Sequence, residues 1–165
     1  MREFDKQGPR AEGHPVVWAG REDGPALVVA DPAGAARHDE LPATWDRLAT
    51  DFQIAWCRLP AGKRSVEDLE DVFETLVERR ASTTLVASGQ ACETALALAR
   101  QFSKIVTSVL LVDPPESGET LAETDFEVRV VARSHAGPSD RVEAPLPLGH
   151  PEVVAGLMTA LADMK

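Results

Sequence analysis

The sequence has no apolar run long enough to cross a bilayer, and no basic-then-apolar leader at its start. A cytoplasmic protein without a membrane partner is therefore expected. Cysteine is scarce. Cys57 and Cys92 are the only two, too few for a disulfide framework, so reduced thiols are expected. Positive charge is also short: 17 Lys and Arg stand against 27 Asp and Glu, a formal net charge of −10. With no basic stripe to offset it, that charge repels phosphate backbones and anionic lipid, which argues against nucleic acid as a partner. No G-x-G-x-x-G follows a strand-like run and no Walker-type lysine loop exists, so nucleotide binding has no support. No His/Cys/Asp cluster shows ligand spacing, so neither a metal nor another cofactor is expected. A receiver-like phosphoacceptor module would set a lysine with Asp31 and Asp113, and none is placed there.

What is present is an ordinary globular composition, 44% hydrophobic and 27% charged over 165 residues. That length suits one domain with a sizeable core. Residues 1–13 are polar and broken by Gly8, Pro9 and Gly13, and read as a flexible lead-in with a short edge strand around Arg2 to Lys6. Residues 14–165 read as a single domain. His14 to Gly20 reads as a strand, and Asp23-Gly24 as a turn before the wholly apolar strand Ala26 to Ala30. Leu41, Trp45, Leu48 and Phe52 recur at helical spacing, with Pro42 suited to a first turn. Gln53 to Leu59 is the next strand. Ser65 then opens a helix, with Asp68 as a weak capping box. Val66, Leu69, Val72, Phe73, Leu76 and Val77 form its buried stripe.

Thr83 to Ser88 is a strand that breaks at small residues, and a helix runs from there to about Phe102. Ser108 to Val112 is a fully apolar strand ending in Asp113-Pro114-Pro115. Phe126 to Ala132 alternates, which gives a strand with one wet face. Arg141 to Leu148 is extended but carries two prolines, so it suits only an edge or coil. Pro151 opens a final helix that buries Val154, Leu157, Met158 and Leu161. Strand and helix alternate throughout, the signature of an α/β protein with a mainly parallel sheet and helices on both faces.

Order and spacing along this pattern resemble the α/β-hydrolase family from about His14 onward. Leu85-Val86-Ala87-Ser88-Gly89-Gln90-Ala91-Cys92 aligns without gaps on a family-type Leu-Val-Gly-His-Ser-Met-Gly-Cys run, the nucleophile elbow. An N-terminal hairpin precedes the first central strand, and a small-residue loop leads into a Trp-bearing helix where the family places its oxyanion loop. Gly149-His150 stands before a terminal helix like the family's catalytic histidine. The resemblance implies a compact fold without a cap domain, since only a few polar residues separate Pro115 from Phe126.

The departures fall on the chemistry. Gly89 occupies the serine position, Ala87 and Ala91 replace the flanking glycines, and Asp31-Pro32 replaces the His-Gly pair. The resemblance assigns the oxyanion donors to the backbone N–H groups of Ala33 and Gln90. It also makes His150 the catalytic histidine, with Asp140 or Asp113 as its acid. As plain structure, Asp113 is a loop cap, Asp140 a turn residue and His150 the start of a helix. Ser88 becomes a nucleophile only with the register shifted by one, which would turn it to the other face. Cys92 sits where the helix macrodipole lowers a thiol pKa, although a buried cysteine fits the same place without chemistry. Asp31, with Arg37, His38 and Asp39, lines the pocket mouth or forms a solvated loop.

Acyl transfer needs an activated nucleophile, and the elbow offers none. The expectation is a degenerate α/β-hydrolase-like protein with a pocket over Gly89, formed by Asp31, Ala33, Ser88, Gln90 and Cys92. It would take a small apolar or carbonyl-bearing ligand, or act as an accessory protein in a homodimer or with a partner protein. The alternative is a non-hydrolytic isomerase, lyase or cyclase using His150, an aspartate and the backbone donors. A hydrolase built on Cys92 or Ser88 is the third reading.

Overall fold

The structure, a computed structural model, describes residues 16–31, 41–58, 63–114, 126–132 and 148–163. Six strands, β1 (Val16–Gly20), β2 (Ala26–Asp31), β3 (Gln53–Arg58), β4 (Thr83–Ser88), β5 (Val106–Val112) and β6 (Glu127–Ala132), form one sheet in the order β1-β3-β2-β4-β5-β6. β1 runs antiparallel to β3, and every other pairing is parallel. A 3-10 turn, Ala43–Trp45, leads into the short helix α1 (Asp46–Asp51). The longer helices are α2 (Lys63–Arg79), α3 (Ala91–Gln101) and α4 (Pro151–Asp163). The expected α/β architecture is what the chain adopts. The lead-in and the segment 141–147 lie outside the described residues.

Every residue of β2 and of β4 is buried, which is why these strands are apolar runs without alternation. Covering both faces divides the core in two. On one face Val28, Leu85, Val109 and Leu111 meet Leu69, Phe73 and Leu76 of α2 and Ala95 and Leu96 of α3. On the other face Leu27, Val29, Trp56, Val86 and Leu110 meet Trp45, Leu48 and, from α4, Val153 and Leu157.

Several boundaries differ from the sequence reading. Asp23-Gly24 does turn the chain, but β1 and β2 do not pair, because β3 lies between them. The expected hairpin ahead of the first central strand involves residues 2–6, which lie outside the described residues. The segment around Leu41 to Phe52 is not one amphipathic helix: Pro42 stands outside it with ψ 141°, a 3-10 turn follows, and α1 is only six residues long. Trp45 drives this tightening, since its fully buried indole fixes the turn against the sheet. α2 begins at Lys63 and not at Ser65, and Val77 is 43% exposed, outside its stripe. At 100° per residue Val77 falls well to one side of the line through Leu69, Phe73 and Leu76.

Two backbone hydrogen bonds close the end of α2. Arg80 takes φ +55°, its N–H donates to Val77 O at 3.0 Å, and the Ala81 N–H donates to Leu76 O at 3.1 Å. This is the paired-bond stop usually assigned to glycine, here occupied by an arginine. Left-handed backbone costs an L-residue about 1 kcal/mol. Arg80→Gly should therefore stabilise the protein by about 0.5–1 kcal/mol, and Val77→Ala should change stability by less than about 0.5 kcal/mol. Urea denaturation measures both.

Candidate functional site

Parallel strands bring their carboxyl ends to one edge of the sheet, and the turns leaving β2, β4 and β5 collect Asp31, Ser88 to Cys92 and Asp113 there. β4 delivers the chain to Gly89, which turns at φ +53°, and α3 begins two residues later. The Gly89 N–H donates to Val112 O at 3.0 Å, and Gly89 O accepts the Cys92 N–H at 3.1 Å. The sharp strand–turn–helix geometry is thus fixed by main-chain bonds, and its apex residue has no side chain.

The flanking side chains are spent elsewhere. Ser88 is buried, and alternation along β4 places it on the same sheet face as Val86 and opposite to Ala87. Cys92 packs among the apolar residues of the α2–α3 face. Its Sγ lies 3.7 Å from Ala87 O and 3.9 Å from Val112 O. Burial pushes this thiol up to about 12, and the neighbouring charges of Asp113 and Glu93 add to the effect. Desolvation therefore outweighs the favourable helix terminus, and a reactive thiolate is withheld.

Asp113 follows β5 at φ +46°, half-buried, with its N–H donating to Ala132 O at 3.0 Å. Asp31 is fully buried at the end of β2. The Trp56 indole N–H donates to its Oδ2 at 2.8 Å. Trp56 in turn meets Trp45 edge-on, with ring centroids 4.8 Å apart, and the Trp45 indole N–H donates to Leu148 O at 2.8 Å. Thr44 donates its hydroxyl to Gly149 O at 2.7 Å. Gly149 lies so close to Pro42 that a Cβ would stand 2.9 Å from the proline Cβ. Residues 148–150 are therefore clamped onto the segment preceding α1.

That clamp brings His150 to the carboxyl edge. α4 runs against β6, because Gly156 backs onto Val131 near the strand's end while Asp163 reaches back to Arg129 at 3.5 Å. The amino end of α4 therefore lies at the same edge as Gly89. His150 caps this helix. Its Nδ1 accepts the Glu152 N–H at 3.1 Å, and its carbonyl accepts from Val153 at 3.0 Å and Val154 at 3.1 Å. With Nδ1 taken as an acceptor, the ring can exchange a proton with a ligand only through Nε2.

Asp31, Ser88, Gly89, Gln90, Cys92, Asp113 and His150 thus share one edge of the sheet, whereas Ala33 and Asp140 lie outside the described residues. The sequence reading missed Trp56 and Trp45 as the side chains that join Asp31 to the His150 loop. Only the pairing of β2 with β3 puts Trp56 beside Asp31, and no local motif signals it. Among the described residues no group of His, Cys, Asp and Glu could hold a metal ion. Likewise, no helix among them is long and apolar enough to cross a membrane.

No family model matches the chain, and no curated protein is similar to it. Among solved structures it is similar to the crystal structure of a probable hydrolytic enzyme from Pseudomonas aeruginosa PAO1. That match has 18% identity and a TM-score of 0.40, and covers 65% of this chain and 38% of the other.

The Cys92 environment has a measurable consequence. The thiol's ordinary value of 9.0 is raised to about 12 in the fold, so above pH 9 the unfolded chain releases this proton first. Stability should fall between pH 9 and about 12, by up to about 1.4 kcal/mol per pH unit from this group. Thermal melts of the protein and of Cys92→Ala should diverge in that range. Iodoacetamide at neutral pH should leave Cys92 unmodified in intact-mass spectra until denaturant is added.

Proposed function

We propose that this chain is an α/β-hydrolase-like protein without a nucleophile, which binds a small apolar or carbonyl-bearing ligand over Gly89 or serves as an accessory subunit. The observation that carries this reading is Gly89 itself. It holds φ +53° at the apex of a strand–turn–helix whose strand is buried throughout. A turn of that shape exists in hydrolases to lift a nucleophilic side chain above the strand end. Here the turn is kept, and its apex carries no side chain. The Gln90 and Ala91 N–H groups lie at this turn, at the start of α3, whereas the Cys92 N–H is already taken by Gly89 O. A carbonyl oxygen is the natural acceptor for them. The inert setting of Cys92 and the position of Ser88 below the apex argue against a displaced nucleophile.

A second reading draws on the buried Asp31 carboxyl at the same edge as His150. A carboxyl group and an imidazole beside backbone donors could move a proton next to a carbonyl without any covalent intermediate, as in an isomerase or lyase. In that enzyme His150 acts through Nε2, because Nδ1 caps α4.

The two readings separate by experiment. The wild-type protein should show no labelling by a fluorophosphonate and no turnover of activated esters. A carbonyl-bearing ligand from a broad acyl library should raise its melting temperature, and no such ligand would sink the binding reading. Gly89→Ser should cost about 1–2 kcal/mol of stability for its left-handed backbone. If the rest of the machinery is in place, that variant should acquire fluorophosphonate labelling. His150→Ala should lose about 1 kcal/mol from the missing cap. Full wild-type turnover of a substrate by His150→Ala would rule out the proton-transfer reading.

A further inference from the structure

At the opposite edge of the sheet, where the parallel strands begin, the chain carries a cleft remote from the elbow. It has a volume of about 360 Å³ and is lined by Trp18, Gly20, Glu22, Gln53, Thr75 and Arg79. That size falls in the range of small-molecule sites. β1 supplies Trp18, whose indole is 41% exposed, whereas Trp45 and Trp56 are fully buried.

Arg79, in the last turn of α2, stacks over the Trp18 ring at 5.1 Å from its centroid. One of its guanidinium nitrogens, Nη1, donates to Gln53 Oε1 at 2.7 Å. Gln53 is itself only 4% exposed, and its Nε2 donates to Gly24 O at 2.7 Å. The amide is thus held from behind by the main chain and in turn holds the arginine. A guanidinium fixed by a ring face and a buried acceptor has little rotamer entropy left to lose, and it has five N–H donors in all. Such a group is suited to bidentate capture of a carboxylate. Glu22 lines the same cleft and brings negative charge, in a protein whose net charge is already −10. A bare anion is disfavoured there, but a ligand carrying a carboxylate and an ammonium answers both Arg79 and Glu22. Trp18 offers apolar surface for the body of such a ligand.

We infer that this amino-edge cleft binds a free amino acid, with Arg79 taking the α-carboxylate, Glu22 the α-ammonium, and Trp18 packing against the side chain. The site is separate from the carboxyl edge and does not depend on how Gly89 is used. Each end of the sheet carries its own backbone and indole N–H reporters.

The test is a titration of the full-length ¹⁵N-labelled protein with free L-α-amino acids up to millimolar concentration, followed by backbone amide and tryptophan indole N–H resonances. At least one amino acid should shift the Trp18 indole and the amides of Gly20 and Gln53. Its N-acetyl and carboxamide derivatives should bind at least about tenfold more weakly, as expected when one charge-assisted contact is lost. Arg79→Gln and Glu22→Gln should each weaken the free amino acid by a similar factor. Glu22 is exposed, so its variant keeps the fold and remains informative if Arg79→Gln proves unstable. No shift with any amino acid, equal binding of the N-acetyl derivative, or full affinity in Glu22→Gln would each overturn the inference. Shifts confined to Gln90 and Cys92 would place the ligand at the other edge and overturn it as well.

Discussion

The bond between the Trp56 indole and the buried Asp31 carboxyl is the contact around which one whole face of the sheet is arranged. A carboxyl group at the end of a central strand, sealed from water, needs hydrogen-bond donors. β3 supplies one from the neighbouring strand. Once Trp56 is held there, its ring sets the position of Trp45, and the Trp45 N–H fixes the carbonyl of Leu148. Three contacts thus connect residues 31, 56, 45 and 148. A hydrogen bond to an acidic group contributes about 1.5–3 kcal/mol and an edge-on aromatic pair about 0.5–1.5 kcal/mol beyond burial. The 3-10 turn, the short α1 and the start of α4 all take their places from this chain of contacts.

The same arrangement explains how the carboxyl edge is assembled. The apex at Gly89 is held by main-chain bonds to β5 and α3, while the His150 loop is held by side-chain bonds from the segment preceding α1. Two independent supports therefore converge on one rim. Nothing in the bonds around Gly89 involves a side chain at position 89, so the shape of this turn does not depend on which residue stands there.

Much of this was legible in the sequence because strand burial and helical stripes leave strong local patterns. β2, β4 and β5 are apolar runs bounded by turns, and α3 and α4 carry clear stripes, so the layered architecture could be read directly. The elbow was legible because its small residues are contiguous. Features set by register were not. Nothing near Asp31 indicates Trp56, 25 residues away, and nothing near Trp45 indicates Leu148. The 3-10 turn was hidden for the same reason, since tertiary contacts of one tryptophan override an otherwise helical spacing. Cys92 was ambiguous because a helix terminus and a buried setting pull a thiol in opposite directions, and only the packing decides between them. Arg79 and Trp18 carry no local signal either, since a lone arginine and a strand tryptophan acquire meaning only when the fold stacks one on the other and Gln53 holds the guanidinium.

The split core gives the two faces of the sheet different histories during synthesis. The α2–α3 face is built largely from residues 69–111, close together in the chain, so it can close on itself early. The other face cannot. Trp45, Trp56 and Val86 wait for Leu148 and the apolar side of α4, about a hundred residues after Trp45. Until that segment leaves the ribosome, a broad tryptophan-bearing surface stays uncovered on a sheet that is otherwise ready to form. Transiently exposed surface of this kind is what chaperones hold and what aggregation exploits. The clamp between Trp45 and Leu148 is therefore also a completion signal, closing only when the chain is long enough to shield its own interior.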